Sequence, residues 1–196
     1  PIPVKSRNDF EMERARLSFA GTAFDPKLRY YINLDGDTDD AHTVIFHDYW
    51  FDYQFSKGFD LYAGKAFVPG SREWLGGSTS THLIDRSMAT SFFRPDRSLG
   101  IWAIGEPLDG LNYRAMLGNG FQTTDLEFDQ INENLMGSAS VWWEPGEGFG
   151  KGYADLKAED SLRTRFGSSF THSAEDARSG LIPTAESNFL RLDDGS

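Results

Sequence analysis

Two groups of charged residues carry most of the chemistry that this sequence offers. The first lies in one long polar segment, residues 68–97, and consists of Arg72, Glu73, Asp85, Arg86, Arg94 and Arg97. The second recurs at alternate positions of apolar–polar segments and consists of Arg14, Arg16, Arg29, Arg114, Arg163 and Arg165. A guanidinium group stays charged and presents a planar fork of donors that matches carboxylate and phosphate oxygens. A column of such side chains can bind an anion and pass it from one site to the next.

The same charges also permit a purely structural interpretation. Asp85 and Arg86 are neighbours in sequence, as are Asp96 and Arg97, so each pair can tie down a surface loop. The arginines of the second group can pair across a wall with nearby carboxylates, which are Asp48, Asp52 and Asp60. Such pairing produces a rigid and electrically neutral wall.

Residues typical of enzymes and metal sites lack the required arrangement. Cysteine is absent, which excludes thiolate ligands and a cysteine nucleophile. Asp35, Asp37 and Asp39 resemble the start of a calcium loop, but Asp40 replaces the glycine at its sixth position and Phe46 replaces the glutamate at its twelfth. The histidines lack zinc-ligand spacing, and no nucleophile elbow is present. The sequence therefore predicts no enzyme activity, no metal and no cofactor.

The composition restricts the class of protein. The chain has 196 residues, a net charge of −11 and 39% hydrophobic residues. It contains no run of the roughly 18 apolar residues that a membrane-spanning helix needs, although a spanning β-barrel is not excluded. The acidic surplus argues against a nucleic-acid partner.

Alternation of apolar and polar residues recurs along the chain and predicts β-strands. The alternating segments are 13–21, 27–35, 48–55, 59–67, 98–105, 111–120, 136–144 and 162–173. The residues expected on the apolar face include Leu28, Tyr30, Ile32, Leu111, Tyr113, Leu117, Val141 and Phe166. The arginines of the second group fall on the opposite face. A glycine at position 64 leaves room for a bulge, and only a short turn within 81–92 competes as helix.

The connections between these segments alternate between short and long, with the connection 145–161 as the exception. Short turns at one end and long polar loops at the other are typical of an up-and-down membrane barrel. The sequence therefore predicts an all-β, antiparallel, up-and-down transmembrane β-barrel, with residues 1–196 as one truncated barrel domain.

Residues 60–102 strengthen this interpretation by a resemblance. Within this stretch a predicted strand ends between Gly64 and Pro69. The pair Asp85-Arg86 follows in the loop, and an aromatic segment then leads to Leu99-Gly100 in the next predicted strand. In this it resembles the phosphate-selective porin O/P family of bacterial outer membranes. Residues 13–35 and 162–173 are similar to other strand pairs of that family.

The resemblance implies a homotrimeric outer-membrane porin for passive diffusion of small hydrophilic or anionic solutes, with outer-membrane lipid around it. Family barrels have about sixteen strands, so about half of a barrel is represented here. The resemblance also implies that the 68–97 loop folds into the channel and constricts it, with Phe92 and Phe93 against the wall.

Two alternatives remain open from the sequence. One is a soluble β-sandwich or barrel that binds carbohydrate through tryptophans, namely Trp50, Trp74, Trp102, Trp142 or Trp143. The other is a barrel that serves chiefly as a structural subunit of the outer membrane.

Overall fold

A computed structural model describes residues 15–36, 44–77, 86–93, 95–119, 134–146, 148 and 162–173, excluding the side chains of residues 91–93. These residues form a single antiparallel sheet of eight strands in which each strand pairs with the next one along the chain. The strands are β1 (Ala15–Ala23), β2 (Asp25–Gly36), β3 (Val44–Ser56), β4 (Phe59–Phe67), β5 (Arg97–Leu108), β6 (Leu111–Gly118), β7 (Met136–Trp143) and β8 (Phe166–Ser173). Among the described residues, β1 and β8 do not pair with each other. The predicted all-β, up-and-down fold is confirmed.

The connections at one end of the sheet are tight. β1 and β2 are joined at Phe24, β3 and β4 at residues 57–58, and β5 and β6 at residues 109–110. Gly110 has a φ of +71°, and a Cβ there would lie 2.2 Å from the carbonyl oxygen of Glu144, so this turn requires glycine. Since successive strands run in opposite directions, residues 37–43, 68–96 and 119–135 connect strands at the other end. The long connection 144–165 lies at the same end of the sheet as the tight turns. This agrees with the sequence, in which 145–161 was the exception to the alternation of short and long connections.

The two faces of the sheet differ in character. One, the apolar face, presents exposed hydrophobic side chains, including Leu17, Phe19, Phe51, Leu61, Leu99, Ile101, Leu117, Val141, Trp143, Phe166 and Phe170. The opposite, polar face carries a row of register partners on β2 to β8, which is Arg29, Asp52, Tyr62, Trp102, Met116, Ser138 and Thr171. The register puts all eight residues predicted for the apolar face on that face. Seven of them are exposed apolar residues or pair with one, and Leu28 pairs with Tyr53, which lies two positions from the exposed Phe51 and Phe55.

Gly64 does not mark a bulge. The pairing of β4 with β3 and with β5 runs through it without a change of register. Its φ is +139°, and a Cβ at this position would lie 2.2 Å from the carbonyl oxygen of Tyr49 and 2.7 Å from the Cα of Trp50. Glycine therefore permits a close approach of β3 to β4. The sequence had suggested a bulge at this position instead.

Two short helices interrupt the connection between β4 and β5. Helix α1 comprises Arg72–Leu75, and helix α2 comprises Met88–Phe93. The sequence anticipated a turn only near α2. Helix α1 is a single turn, started by the hydroxyl of Ser71, which accepts a hydrogen bond from the backbone N–H of Trp74 at 3.2 Å. No helix in the described part of the chain is long and apolar enough to cross a membrane.

Candidate functional site

The start of the long loop (residues 68–97) crosses the polar face of the sheet. Val68 is fully buried in a cluster with one residue from each of three successive strands, which are Trp102, Met116 and Met136. Ser138 Oγ donates a hydrogen bond to the carbonyl oxygen of Pro69 at 2.9 Å. Ser140 Oγ donates another to the carbonyl oxygen of Gly70 at 3.1 Å. Residues 68–70 therefore lie against β5, β6 and β7 on the polar face.

Glu73 joins the two helices of the long loop. Its carboxylate accepts a hydrogen bond from the backbone N–H of Ser87 at 2.9 Å and further bonds from the hydroxyls of Ser87 and Thr90. These donors, with the Ser87 hydroxyl first, lower the pKa of Glu73 from its ordinary value because they favour the charged carboxylate. The carboxylate thus accepts hydrogen bonds from donors at the start of α2 and holds this helix against α1.

Arg86 binds backbone carbonyl groups of α1 and of the residue after it. Its Nε donates to the carbonyl oxygen of Glu73 at 3.3 Å, and its NH2 donates to that of Gly76 at 3.1 Å. Its guanidinium carbon lies 5.2 Å from the ring centroid of Trp74, which is buried. Arg86 therefore satisfies carbonyl groups at the end of α1, so its charge acts within the loop.

Arg97 ties the end of the long loop to the sheet. Its Nε donates to Asp48 Oδ1 at 2.8 Å, and its guanidinium carbon lies 3.9 Å from the ring centroid of Phe67. Asp96 Oδ1 lies 3.7 Å from its NH1. Both ends of the loop are thus fixed, one by Val68 and the strand serines, the other by an ion pair.

Not all residues predicted for the constriction can be placed. Arg72, Glu73, Arg86 and Arg97 are described, and the last three make the contacts given above. Asp85 and Arg94 lie outside the described residues, as do the side chains of Phe92 and Phe93.

The arginines of β1 and β2 form cross-strand ion pairs on the polar face. Arg29 pairs through Nε and NH2 with the carboxylate of Asp52, which is 2% exposed, and its NH2 lies 3.0 Å from Asp60 Oδ2. Arg16 pairs with Asp35 at 2.8 Å. Arg14 lies outside the described residues. Arg29 thus pairs with two of the carboxylates named in the structural interpretation. Arg16 pairs instead with Asp35, which that interpretation did not name.

Arg114 differs from these arginines. It lies on the polar face between its register partners Ile104 and Ser140. Its Nε is buried without a hydrogen-bond partner, and Arg114 forms no ion pair with any described residue. A buried cation without a counter-charge is costly, so this position favours an anion nearby.

Arg163 and Arg165 precede β8 and border a cavity. Arg165 pairs with Glu144 at 2.9 Å and lies 4.8 Å over the ring of Trp142, while Arg163 donates to the carbonyl oxygen of Gly148 at 3.1 Å. The cavity has a volume of about 530 Å³ and is also lined by Arg72 of the long loop. The structure therefore brings together one arginine of the first predicted group and two of the second, which the sequence did not relate.

Aromatic residues form an aromatic row on the polar face, which shares Tyr62 and Trp102 with the row of register partners. Ring centroids are 5.5 Å apart for Tyr31 and Trp50, 5.2 Å for Trp50 and Tyr62, and 5.4 Å for Tyr62 and Trp102. The rings pack on one another across β2 to β5. The row depends on the strand register, which the alternation of the sequence does not specify.

Comparison with known proteins gives one result. The family model for phosphate-selective porin O and P matches residues 3–139, which is more than half of the chain and extends from before β1 into β7. The searches of curated proteins and of solved structures gave no match. The match agrees with the resemblance carried by residues 60–102 and with the antiparallel, up-and-down sheet. The chain belongs to the phosphate-selective porin O and P family.

Proposed function

We propose that this protein is a porin of the bacterial outer membrane, a water-filled channel through which small hydrophilic solutes, including anions, diffuse passively. The observation that carries the proposal is the division of the sheet into an exposed apolar face and a charged polar face that holds the long loop. A channel wall needs this division, with lipid on one side and water on the other.

The apolar face supports a lipid environment. Its exposed side chains include Phe51 at 58%, Ile101 at 52% and Phe170 at 70% exposure, on three different strands. Contiguous apolar surface of this kind is rare on proteins surrounded by water. The strands contain 8 to 13 residues, which brackets the roughly 9–11 residues of a tilted spanning strand. Outer-membrane lipid is therefore the proposed partner of this face.

The polar face supports the lining of an aqueous channel, with the long loop as its constriction. Val68, Ser138 and Ser140 hold the start of the loop against this face, and the ion pair of Arg97 with Asp48 holds its end. A porin-sized barrel is too wide for strand side chains to fill, so an inserted loop is the means of narrowing it. Arg72, which borders the cavity, is the described loop arginine best placed to act on solutes.

Charge pairing limits how strongly the wall can select anions. Carboxylates lie beside four arginines of the polar face and its margins, which are Arg16, Arg29, Arg97 and Arg165. Pairing cancels most of their field at a distance. We therefore propose a general channel with a modest anion preference, which arises near Arg114 and around the cavity.

The proposed assembly is a homotrimer, as membership of the family implies. Its test is the molar mass of the detergent-solubilised, full-length protein by light scattering, with detergent mass subtracted. A monomeric mass would contradict this part of the proposal.

A soluble carbohydrate-binding protein is less consistent with the tryptophan positions. Trp74 is a buried residue of α1, and Trp50 and Trp102 pack within the aromatic row. Trp143 lies on the apolar face while Trp142 packs under Arg165. The five tryptophans thus do not converge on a single surface.

Reconstitution of the full-length protein into a planar bilayer tests the proposal. Discrete conductance steps in potassium chloride are expected, with a reversal potential in a salt gradient that indicates a small excess of anion flow. A folded barrel that inserts without conductance would contradict the proposal and favour a structural subunit of the membrane. A complete protein that stays folded and monodisperse without detergent would favour the soluble alternative.

A further inference from the structure

The cavity between the long loop and β8 has the composition of a binding site. Its wall includes the guanidinium groups of Arg72, Arg163 and Arg165, and no carboxylate is among the described residues that line it. Arg165 does pair with Glu144, which lies outside the wall. An arginine has five N–H donors, so one that is already paired can still donate to a second acceptor. The lining therefore favours a negatively charged occupant.

The floor of the cavity adds polar groups and a neighbouring cation. Ser140 and Ser169 line the cavity and are register partners on β7 and β8. Ser140 is also the register partner of Arg114, whose Nε has no hydrogen-bond partner. Adjacent strands lie about 4.8 Å apart, so Arg114 is one strand away from the cavity floor. Its unpaired charge adds to the positive potential at this position.

The size and the remaining walls restrict the kind of anion. A volume of about 530 Å³ is many times the roughly 30 Å³ that a water molecule occupies, so the cavity has room for an organic body beside an anionic group. Leu75 and Trp142 supply apolar surface beside the arginines. Small-molecule sites combine such apolar walls with a few oriented charged groups.

We propose that this cavity is a subsite for organic anions, in which the arginines bind a carboxylate and the apolar walls contact a planar body. The inference rests on the proposed channel function and adds to it a class of solute that pauses at a defined position. Residence of such a solute beside the loop would interrupt ion flow, because the loop and the wall form the two sides of the cavity.

Block of potassium chloride conductance by benzoate tests the proposal on the full-length protein in a planar bilayer. Benzoate is expected to block at millimolar concentration, with far weaker effects of its neutral analogue benzamide and of acetate, which lacks the planar body. Inorganic phosphate is the fourth probe. Equal block by acetate and benzoate, or stronger block by phosphate than by benzoate, would overturn the proposal.

Two variants locate the block. Arg163→Gln combined with Arg165→Gln removes the charges, and Ser169→Trp fills the cavity while it leaves them in place. Each is expected to raise the half-blocking concentration of benzoate by about tenfold, since charge-assisted hydrogen bonds and a fitted cavity are both lost. Lys27→Gln, which removes an exposed cation near a tight turn of the sheet, should change it less than about twofold.

The outcomes separate this inference from the proposed function. Unblocked conductance in potassium chloride reports whether a channel exists at all. If that conductance persists while Ser169→Trp leaves the benzoate block unchanged, the channel stands and the subsite is wrong. If no preparation conducts, the channel itself is wrong.

Discussion

Ser138 on β7 and Pro69 in the long loop are joined by a hydrogen bond of 2.9 Å from a strand hydroxyl to a loop carbonyl, although 69 residues separate them. Ser138 Oγ is also 2.8 Å from Thr171 Oγ1 on β8. One buried hydroxyl thus connects the loop with two strands. Strand and loop are therefore expected to respond together when this position is changed.

Replacement of the two strand serines, Ser138→Ala with Ser140→Ala, should loosen the start of the long loop. Each hydrogen bond contributes about 0.5–1.5 kcal/mol, so the barrel should remain folded while the loop opens more often. Faster proteolysis within residues 68–97 and noisier single-channel current are the expected results. Thr22→Ala, an exposed hydroxyl on β1, is the matched control, and equal proteolysis rates in both proteins would contradict the role of the serines.

Acid should release the contact between α1 and α2. Hydrogen bonds from Ser87 and Thr90 lower the pKa of Glu73 below its ordinary value of 4.5. A lowered pKa means that the stabilisation is complete above pH 4.5 and is lost as the pH falls through the folded-state pKa. Loop proteolysis by an acid-tolerant protease should therefore rise in this acidic range.

Glu73→Gln provides the control for the acid effect. The variant should show faster loop proteolysis at neutral pH and little further change on acidification. Asp109→Asn, at an exposed turn position, should retain the acid response of the parent protein. A persistent acid response in Glu73→Gln would assign the titration to another group.

The pair Arg29 and Asp52 should give opposite effects on selectivity. Arg29→Met leaves the buried Asp52 carboxylate and the nearby Asp60 without their cation, which should lower the free energy of unfolding by about 1–3 kcal/mol. The loss is smaller than for a fully buried pair because Arg29 itself is partly exposed. The reversal potential should shift toward cations, while Asp52→Asn should shift it toward anions. Denaturant unfolding in detergent and bilayer reversal potentials measure the two effects, and shifts of the same sign would contradict a wall built from compensated charges.

Gly64 and Gly137 form a matched test of close strand approach. A Cβ at Gly64 would collide with the backbone of Tyr49, whereas a Cβ at Gly137 meets no atom within 4 Å. Gly64→Ala should destabilise the barrel by about 1–3 kcal/mol because of its positive φ and the contact with β3. Gly137→Ala should have little effect, and equal unfolding midpoints for both variants would argue against the close approach.

A charge on the apolar face should be costly. Ile101→Lys places a cation among exposed apolar side chains on β5. If the residue lies near the centre of the bilayer, the cost is about 2–4 kcal/mol. Thr22→Lys places the same cation on the polar face, in β1, and is expected to insert normally. Efficient membrane insertion of Ile101→Lys would contradict the contact of the apolar face with lipid.

The sequence predicts those features of the fold that depend on neighbouring residues. Alternation around Arg29 and Val141 placed them on opposite faces, and the alternation of short and long connections predicted tight turns at one end of the sheet. Helix α1 was missed because one turn leaves too little periodicity to detect. The position of Val68 depends on where the loop crosses the sheet. The choice of Asp52 as the partner of Arg29 depends on the register of β2 with β3, which the alternation pattern does not specify.

The candidate site was only partly predictable for the same reason. Arg72, Arg163 and Arg165 were each identified as candidate residues, but their common cavity forms where the loop crosses β7 and β8. The serines that hold the loop had no signal beyond their parity on β7. Glu73 and Arg86 were predicted for the constriction, and their observed contacts are with residues of the loop itself.

The burial of Val68 among Trp102, Met116 and Met136 has a thermal consequence. Apolar contacts of this kind weaken on cooling, because their driving force near room temperature is entropic. Ion pairs at the other end of the loop do not follow the same dependence. Cold should therefore free the start of the loop before its end, and conductance, once corrected for the viscosity of the electrolyte, should increase toward low temperature.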